Sequence, residues 1–236
     1  MLIYPKAIGT IARMWADNVR SSFMDSLADL KSFSERVLCT DKSMYIHGEK
    51  AFASYHQLAR NDLVTKMRGD WILMLDTDHK FQPDLLIRLL EIQKQSGAGV
   101  VTGLYLAKHS PHPPVANVWS SDGQCIPLLN WDRNADYIPI GPCGGGCLLI
   151  MKSTLDIIGP NPFNQIGGFS EDYSFFARCR AANIPCVLAP KIQANHVIET
   201  AIAAEDYIPP PNAPIYLTDP YGTIQDAKIE ERSVVE

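Results

Sequence analysis

The apolar run Trp71-Ile72-Leu73-Met74-Leu75 has no polar alternation, so it predicts a strand buried on both faces. Ahead of it, Ala51 to Arg68 carries Phe52, Tyr55, Leu58, Ala59, Leu63, Val64 and Met67 at helical spacing, and Gly69 closes that helix. After it, Pro83 opens a helix to about Gln95, with Leu85, Leu86, Leu89, Leu90 and Ile92 available for burial; Gly97-Ala98-Gly99 and a strand from Val100 to Leu106 follow. Near the N-terminus, Leu2-Ile3-Tyr4 reads as a short strand stopped by Pro5. A Gly9-Thr10 turn then leads to a helix over about Ser21 to Leu30, and Arg36 to Cys39 reads as a second strand. Strand and helix alternate throughout this half. The pattern predicts an α/β fold: a mixed, mostly parallel central sheet flanked by helices.

The rhythm breaks at Ser110-Pro111-His112-Pro113-Pro114. Short runs near Val115 to Trp119, Gln124 to Leu129 and Tyr137 to Ile140 read as hairpin or edge strands. Gly144-Gly145-Gly146 then enters a buried strand, Cys147 to Met151, after which Ser153 is a candidate helix cap. A helix is expected from Glu171 or Asp172 to about Asn183, with last strands at Ile184 to Leu188 and Lys191 to Val197. Beyond Glu205 the chain turns Pro-rich and then charged. This divides it into a domain over 1–204 and a tail over 205–236 that wraps the domain or extends from it.

Composition changes this picture little. The 236 residues are 46% hydrophobic and 20% charged, enough for one well-buried domain. A net charge of -5 gives no general electrostatic reason for nucleic-acid binding. No apolar run approaches the roughly 20 residues of a membrane span, and no signal-like segment opens the chain. A cytoplasmic protein is expected, in a host cytoplasm if a virus encodes it. The six cysteines fall mostly in apolar stretches, as buried thiols of a reducing compartment do. Cys143-x3-Cys147 and Cys179-x6-Cys186 lack the close ligand spacing of a zinc site.

Chemistry concentrates after the buried strand. Asp76 and Asp78 would share one face of a continued strand and repel each other, whereas at a strand's C-terminal end a divalent cation removes that repulsion and can hold nucleotide phosphates. The alternative is a polar strand exit with helix-capping aspartates. Four further features accompany Asp76-Thr77-Asp78: Ala59-Arg60-Asn61-Asp62 on a helix, Gly144-Gly145-Gly146 before a strand, Gly168-Phe169-Ser170-Glu171-Asp172 opening a helix, and Asn195-His196 ending the last strand. The glycine run matches neither the dinucleotide fingerprint nor the Lys-terminated phosphate loop. Without side chains, it offers close approach to a ligand or a loose turn.

This order of features resembles the metal-dependent glycosyltransferases of the GT-A fold, in particular the family-2-like group, over roughly Leu2 to Glu199. The resemblance implies that Asp78 ligates Mn2+ or Mg2+, that Asp76 reaches the metal through water or the ribose, and that His196 completes the metal site. It implies nucleotide contacts at Thr77 and Arg60, the latter pairing with phosphate or bracing the aspartates, and weaker ones at Pro5 and Thr10 beside the base and ribose. It further implies Asp172 as general base, with Glu171 binding or orienting the acceptor. Capping preference alone also places acidic residues in a first turn. The donor implied is a nucleotide-diphosphate sugar; acceptors across the group are glycans, lipids, proteins or modified nucleic-acid bases, and self-association is compatible with the tail. Two rivals remain. One is a sugar-nucleotide-forming nucleotidyltransferase, disfavoured because Pro5 to Thr10 is not the Gly-rich basic loop it needs. The other is a non-catalytic carbohydrate- or protein-binding module on the same fold.

Overall fold

The computed structural model describes residues 6–14, 19–51, 55–197, 204 and 207–228. Five strands run in the same direction: β1 (Lys6–Met14), β2 (Met44–Ala51), β3 (Trp71–Leu75), β5 (Val100–Leu104) and β10 (Cys186–His196). Between β3 and β5 lies the antiparallel β9 (Cys147–Met151), and β4 (His79–Phe81) closes the edge antiparallel to β10. The order is β2-β1-β3-β9-β5-β10-β4, a mixed sheet with mostly parallel central strands.

Alternation within β3 divides the core. Ile72 and Met74 face one apolar cluster with Ala59, Leu63, Phe175 and Phe176, while Trp71, Leu73 and Leu75 face another with Phe23, Leu30, Leu86 and Leu89. Thus α2 (His56–Lys66) and α5 (Glu171–Ala181) cover one face, and α1 (Ser21–Leu38) and α3 (Leu85–Ser96) the other. In α3 the buried positions Leu85, Leu86, Leu89 and Ile92 form one stripe, and Gly97, at φ 67°, ends the helix in the left-handed region.

Several expected boundaries are corrected. Gly9 and Thr10 lie inside β1 and form no turn: a Cβ on Gly9 would come within 2.1 Å of the Trp71 ring, so glycine is needed to seat the indole. Arg36 to Leu38 belongs to the last turn of α1, which continues the stripe Phe23, Ser26, Leu30, Ser34. The second strand comes later, as β2, an edge strand whose burial is too uneven to announce itself. The two strands expected after Ile184 are one, β10, whose register against β5 shifts between Ala189 and Gln193, around Pro190. A short helix, α4 (Lys152–Ile158), begins one residue before Ser153, which is not its cap. The strand expected at Leu2 to Tyr4 lies outside the described residues.

The irregular half forms β6 (Asn117–Trp119) with β7 (Cys125–Pro127), and β8 (Ile138–Pro139) against β10. Residues 207–228 fold back on it. Tyr207 stacks on Trp131 and donates to the Leu129 carbonyl at 2.8 Å, and the hairpin β11 (Ile215–Thr218) with β12 (Ile224–Lys228) is anchored by Thr218 Oγ1 donating to the Pro139 carbonyl. Among the described residues no helix is long and apolar enough to cross a membrane.

Candidate active site

The pairing Leu75↔Cys147 ends β3 beside the glycine run, and the Asp76 amide donates to the Gly146 carbonyl at 3.0 Å. The backbone therefore leaves the sheet at Asp76. The turn through Thr77 and Asp78 brings the chain to β4, where His79 pairs with His196 of β10. This register joins two segments more than a hundred residues apart at one edge.

Among the described residues Arg60 is the largest fully buried side chain, 2% exposed, on the inner face of α2. Its guanidinium donates to the Gly145 carbonyl at 2.9 Å and lies 3.2 Å from Asp76 Oδ1 and 3.4 Å from Glu171 Oε1. Burial disfavours its charge, but Asp76, Glu171 and then Asp172 outweigh that cost and raise its pKa. A planar fork suits three partners in different directions. The glycine run makes room for this arrangement. A Cβ on Gly145 would meet Arg60 Nη2 at 2.2 Å, and one on Gly146 would meet His79 Cε1 at 2.6 Å.

Asp78, His79 and His196 form a compact group, with one ligand atom from each within 4.8 Å of the others. Asp78 Oδ1 and His79 Nε2 are buried with no hydrogen-bond partner, although His79 Nδ1 approaches Asp78 Oδ1 to 3.3 Å. That approach is close but poorly aligned. Asp78 Oδ2 pairs with Lys108, and the half-buried His196 donates from Nδ1 to the Leu106 carbonyl, which leaves its Nε2 as a lone pair. Burial opposes ionisation of Asp78, yet the contacts and charges of His79 and Lys108 hold its carboxyl well below the usual range. Burial and the neighbouring His79 push His196 downward, towards the neutral ring that a metal ligand needs. A carboxylate oxygen and an imidazole nitrogen without hydrogen-bond partners, with a second imidazole close by, fit a divalent cation.

At the start of α5, Glu171 is bound to Arg60 and lies 3.7 Å from His56 Nδ1. Asp172 Oδ1 accepts from Ser170 Oγ and from the Tyr173 amide.

The match to the family model described as Glycosyl transferase family 2 covers residues 40–152, from before β2 to the end of β9, and so includes Arg60 and the Asp-x-Asp segment. Two solved structures are similar in fold. "Crystal Structure of A197 from STIV" superposes with a TM-score of 0.56 at 15% identity, covering 98% of this chain and 100% of that one. "Crystal structure of GalNAc-T7 with UDP, GalNAc and Mn2+" gives 0.58 at 10% identity, covering 84% of this chain and 44% of that one. The chain has the GT-A fold, and a little under half of it matches the family-2 glycosyltransferase model. No curated protein sequence matches the chain.

Of the site residues expected from sequence, the fold gathers Arg60, Asp76 and Glu171 into one ionic network, and Asp78 and His196 into the adjoining group. Asp76 stands beside that group, engaged by Arg60, and Thr77 sits half-buried between the two aspartates. Thr10 is not brought to the site. It is fully buried within β1, and its hydroxyl donates to the Arg68 carbonyl and accepts from the Arg68 amide, both at 2.8 Å. The reason is the position of the first strand: pairing of Arg13 with Leu75 puts the end of β1, four residues past Thr10, level with Asp76. Pro5 lies outside the described residues. His79, Lys108 and Tyr105 were not foreseen. Only the adjacency of His79 to Asp78 could have signalled any of them.

Proposed function

We propose that this domain is a metal-dependent glycosyltransferase that moves a sugar from a nucleotide-diphosphate sugar to a hydroxyl acceptor with inversion. The observation that carries the reading is the group at the exit of β3: Asp78 and His196 converge from distant segments, and Asp78 Oδ1 is buried without a hydrogen-bond partner. Asp78 and His196 would hold Mn2+ or Mg2+. When bound, the ion would offset charge on the departing diphosphate. The UDP and Mn2+ named for the GalNAc-T7 structure support this pairing of nucleotide and ion on the same fold.

The remaining chemistry belongs to the protein. Arg60 fixes Asp76 and Glu171 from within the core, leaving Asp76 and Thr77 to face the nucleotide. Asp172, oriented through Oδ1 by Ser170 and the Tyr173 amide, takes the acceptor's proton on Oδ2. As the acceptor oxygen bonds to the anomeric carbon, the bond from that carbon to the diphosphate oxygen breaks and the nucleotide diphosphate leaves. Glu171, held by Arg60, orients the acceptor.

A panel of sugar nucleotides in a nucleotide-release assay with Mn2+ tests the reading. One donor should be consumed, and EDTA or Asp78→Asn should stop release. Asp172→Asn should keep metal-dependent nucleotide binding by calorimetry while losing transfer. Absence of both release and metal-dependent binding across the panel would overturn it in favour of a non-catalytic module.

A further inference from the structure

We infer that His79 is a third protein ligand of the divalent ion, giving a site of one carboxylate oxygen and two imidazole nitrogens that selects a first-row transition ion over Mg2+. The inference rests on the metal-dependent reading above and adds to it a residue and a selectivity.

His79 is 0% exposed, and its surroundings hold the ring in one place. The register His196↔His79 stacks the two imidazoles, with centroids 4.2 Å apart and planes 25° apart. Tyr105 packs edge-on against both, at 4.9 and 5.3 Å, and its hydroxyl accepts from the Gly146 amide. Gly146 supplies the remaining space, since a Cβ there would collide with the His79 ring.

A buried structural histidine satisfies both nitrogens. This one does not. Its Nδ1 lies 3.4 Å from the Asp76 carbonyl oxygen and 3.3 Å from Asp78 Oδ1, whereas Nε2 has no partner. A neutral imidazole carries one proton for two nitrogens, so protein contacts alone leave one of them bare in either tautomer. Asp78 Oδ1, equally buried, lacks a donor too. One cation accepts lone pairs from both.

Donor type then decides selectivity. Mg2+ demands oxygen ligands and keeps its water, while imidazole suits the transition ions. With His196, His79 makes nitrogen the majority among the protein's donors.

The experiment uses the full chain and Mn2+ alone, followed by the electron paramagnetic resonance signal of the free ion, with Mg2+ as competitor. The wild type should hold Mn2+ against at least a hundredfold excess of Mg2+, and pulsed spectra should resolve couplings to two imidazole nitrogens. His79→Gln should weaken Mn2+ binding tenfold or more and leave one nitrogen coupling. Because His79 is buried, the wild-type spectrum is an independent test: a single nitrogen coupling overturns the inference whether or not the variant folds. A folded His79→Gln with unchanged Mn2+ affinity overturns it too, leaving the metal-dependent reading intact. Failure of the wild type to bind Mn2+, alone or with UDP or GDP, removes both.

Discussion

Arg60 and Gly145 occupy adjoining volumes that leave no room for a methyl group: a Cβ on Gly145 would lie 2.2 Å from Nη2, while Nη1 donates to the same glycine's carbonyl at 2.9 Å. The glycine run thus serves the protein's own cation. Through that cation it sets the positions of one carboxylate at the end of β3 and another at the start of α5.

Gly145→Ala should therefore push the guanidinium off Asp76 and Glu171 and leave buried charge unpaired, a loss of about 3–5 kcal/mol. Gly48 is the control, since its Cβ position has nothing within 4 Å and its φ is not positive. Gly48→Ala should stay within about 0.5 kcal/mol of wild type. Urea unfolding of both variants checks the contrast, and equal stabilities would refute the packing argument.

Arg60→Met tests the same network from its centre. With both carboxylates left near an uncharged side chain, the variant should lose roughly 3–5 kcal/mol. Combined with Glu171→Gln, the losses should fall short of additivity by about 0.5–3 kcal/mol, because the second change removes a charge the first has already stranded. A double-mutant cycle reads this directly. Strict additivity would mean that Glu171 is held by something other than Arg60.

The parts legible in the sequence were those with one strong local signal. β3 was readable because five consecutive apolar residues are buried on both faces, and α3 because its leucines repeat at helical spacing between a proline and a glycine. Signals with two physical meanings misled. Gly9 resembles a turn but seats Trp71 inside a strand; Val37 and Leu38 resemble a strand but complete α1. Tyr55 and Leu58 fit the apolar stripe of α2, yet are 68% and 51% exposed, and the buried face carries Arg60 and Asn61 instead. No hydrophobic pattern predicts a buried arginine. Its burial depends on partners at 76, 145 and 171, which only the tertiary fold assembles. The same holds for Lys108 against Asp78.

That pair has a measurable consequence. Lys108 already supplies a positive charge at Asp78 Oδ2, so a divalent ion arriving there must compete with it. Lys108→Met should tighten Mn2+ binding in the absence of nucleotide, by about two- to fivefold given the modest worth of a half-exposed pair. Calorimetric titration with Mn2+ checks it, and weaker binding would show that Lys108 assists the ion. The pH dependence has a definite sign. A carboxylate depressed in the folded state adds stability above its unfolded pKa and loses it as pH falls through the folded one. Lys108→Met raises the folded pKa and should move acid unfolding to higher pH.

Thiol reactivity offers the last test, independent of the site. Cys143, Cys147, Cys179 and Cys186 are buried, whereas Cys39 and Cys125 are half-buried. Burial pushes Cys147 up to about 12 and Cys143 and Cys186 well above their ordinary value, so these three remain protonated and shielded at pH 8. Only the thiolate attacks a disulfide reagent. Ellman's reagent should therefore titrate at most two thiols in the native protein, slowly because burial also raises Cys39 and Cys125, and all six in denaturant. Cys147 pairs with Leu75 in the sheet, directly before Asp76, so its exposure would report opening of the strand that carries both aspartates. Reaction of Cys147 at the rate of the half-buried thiols, identified by peptide mapping, would mean that β3 and β9 separate readily, and the site built on their junction would not be held as described.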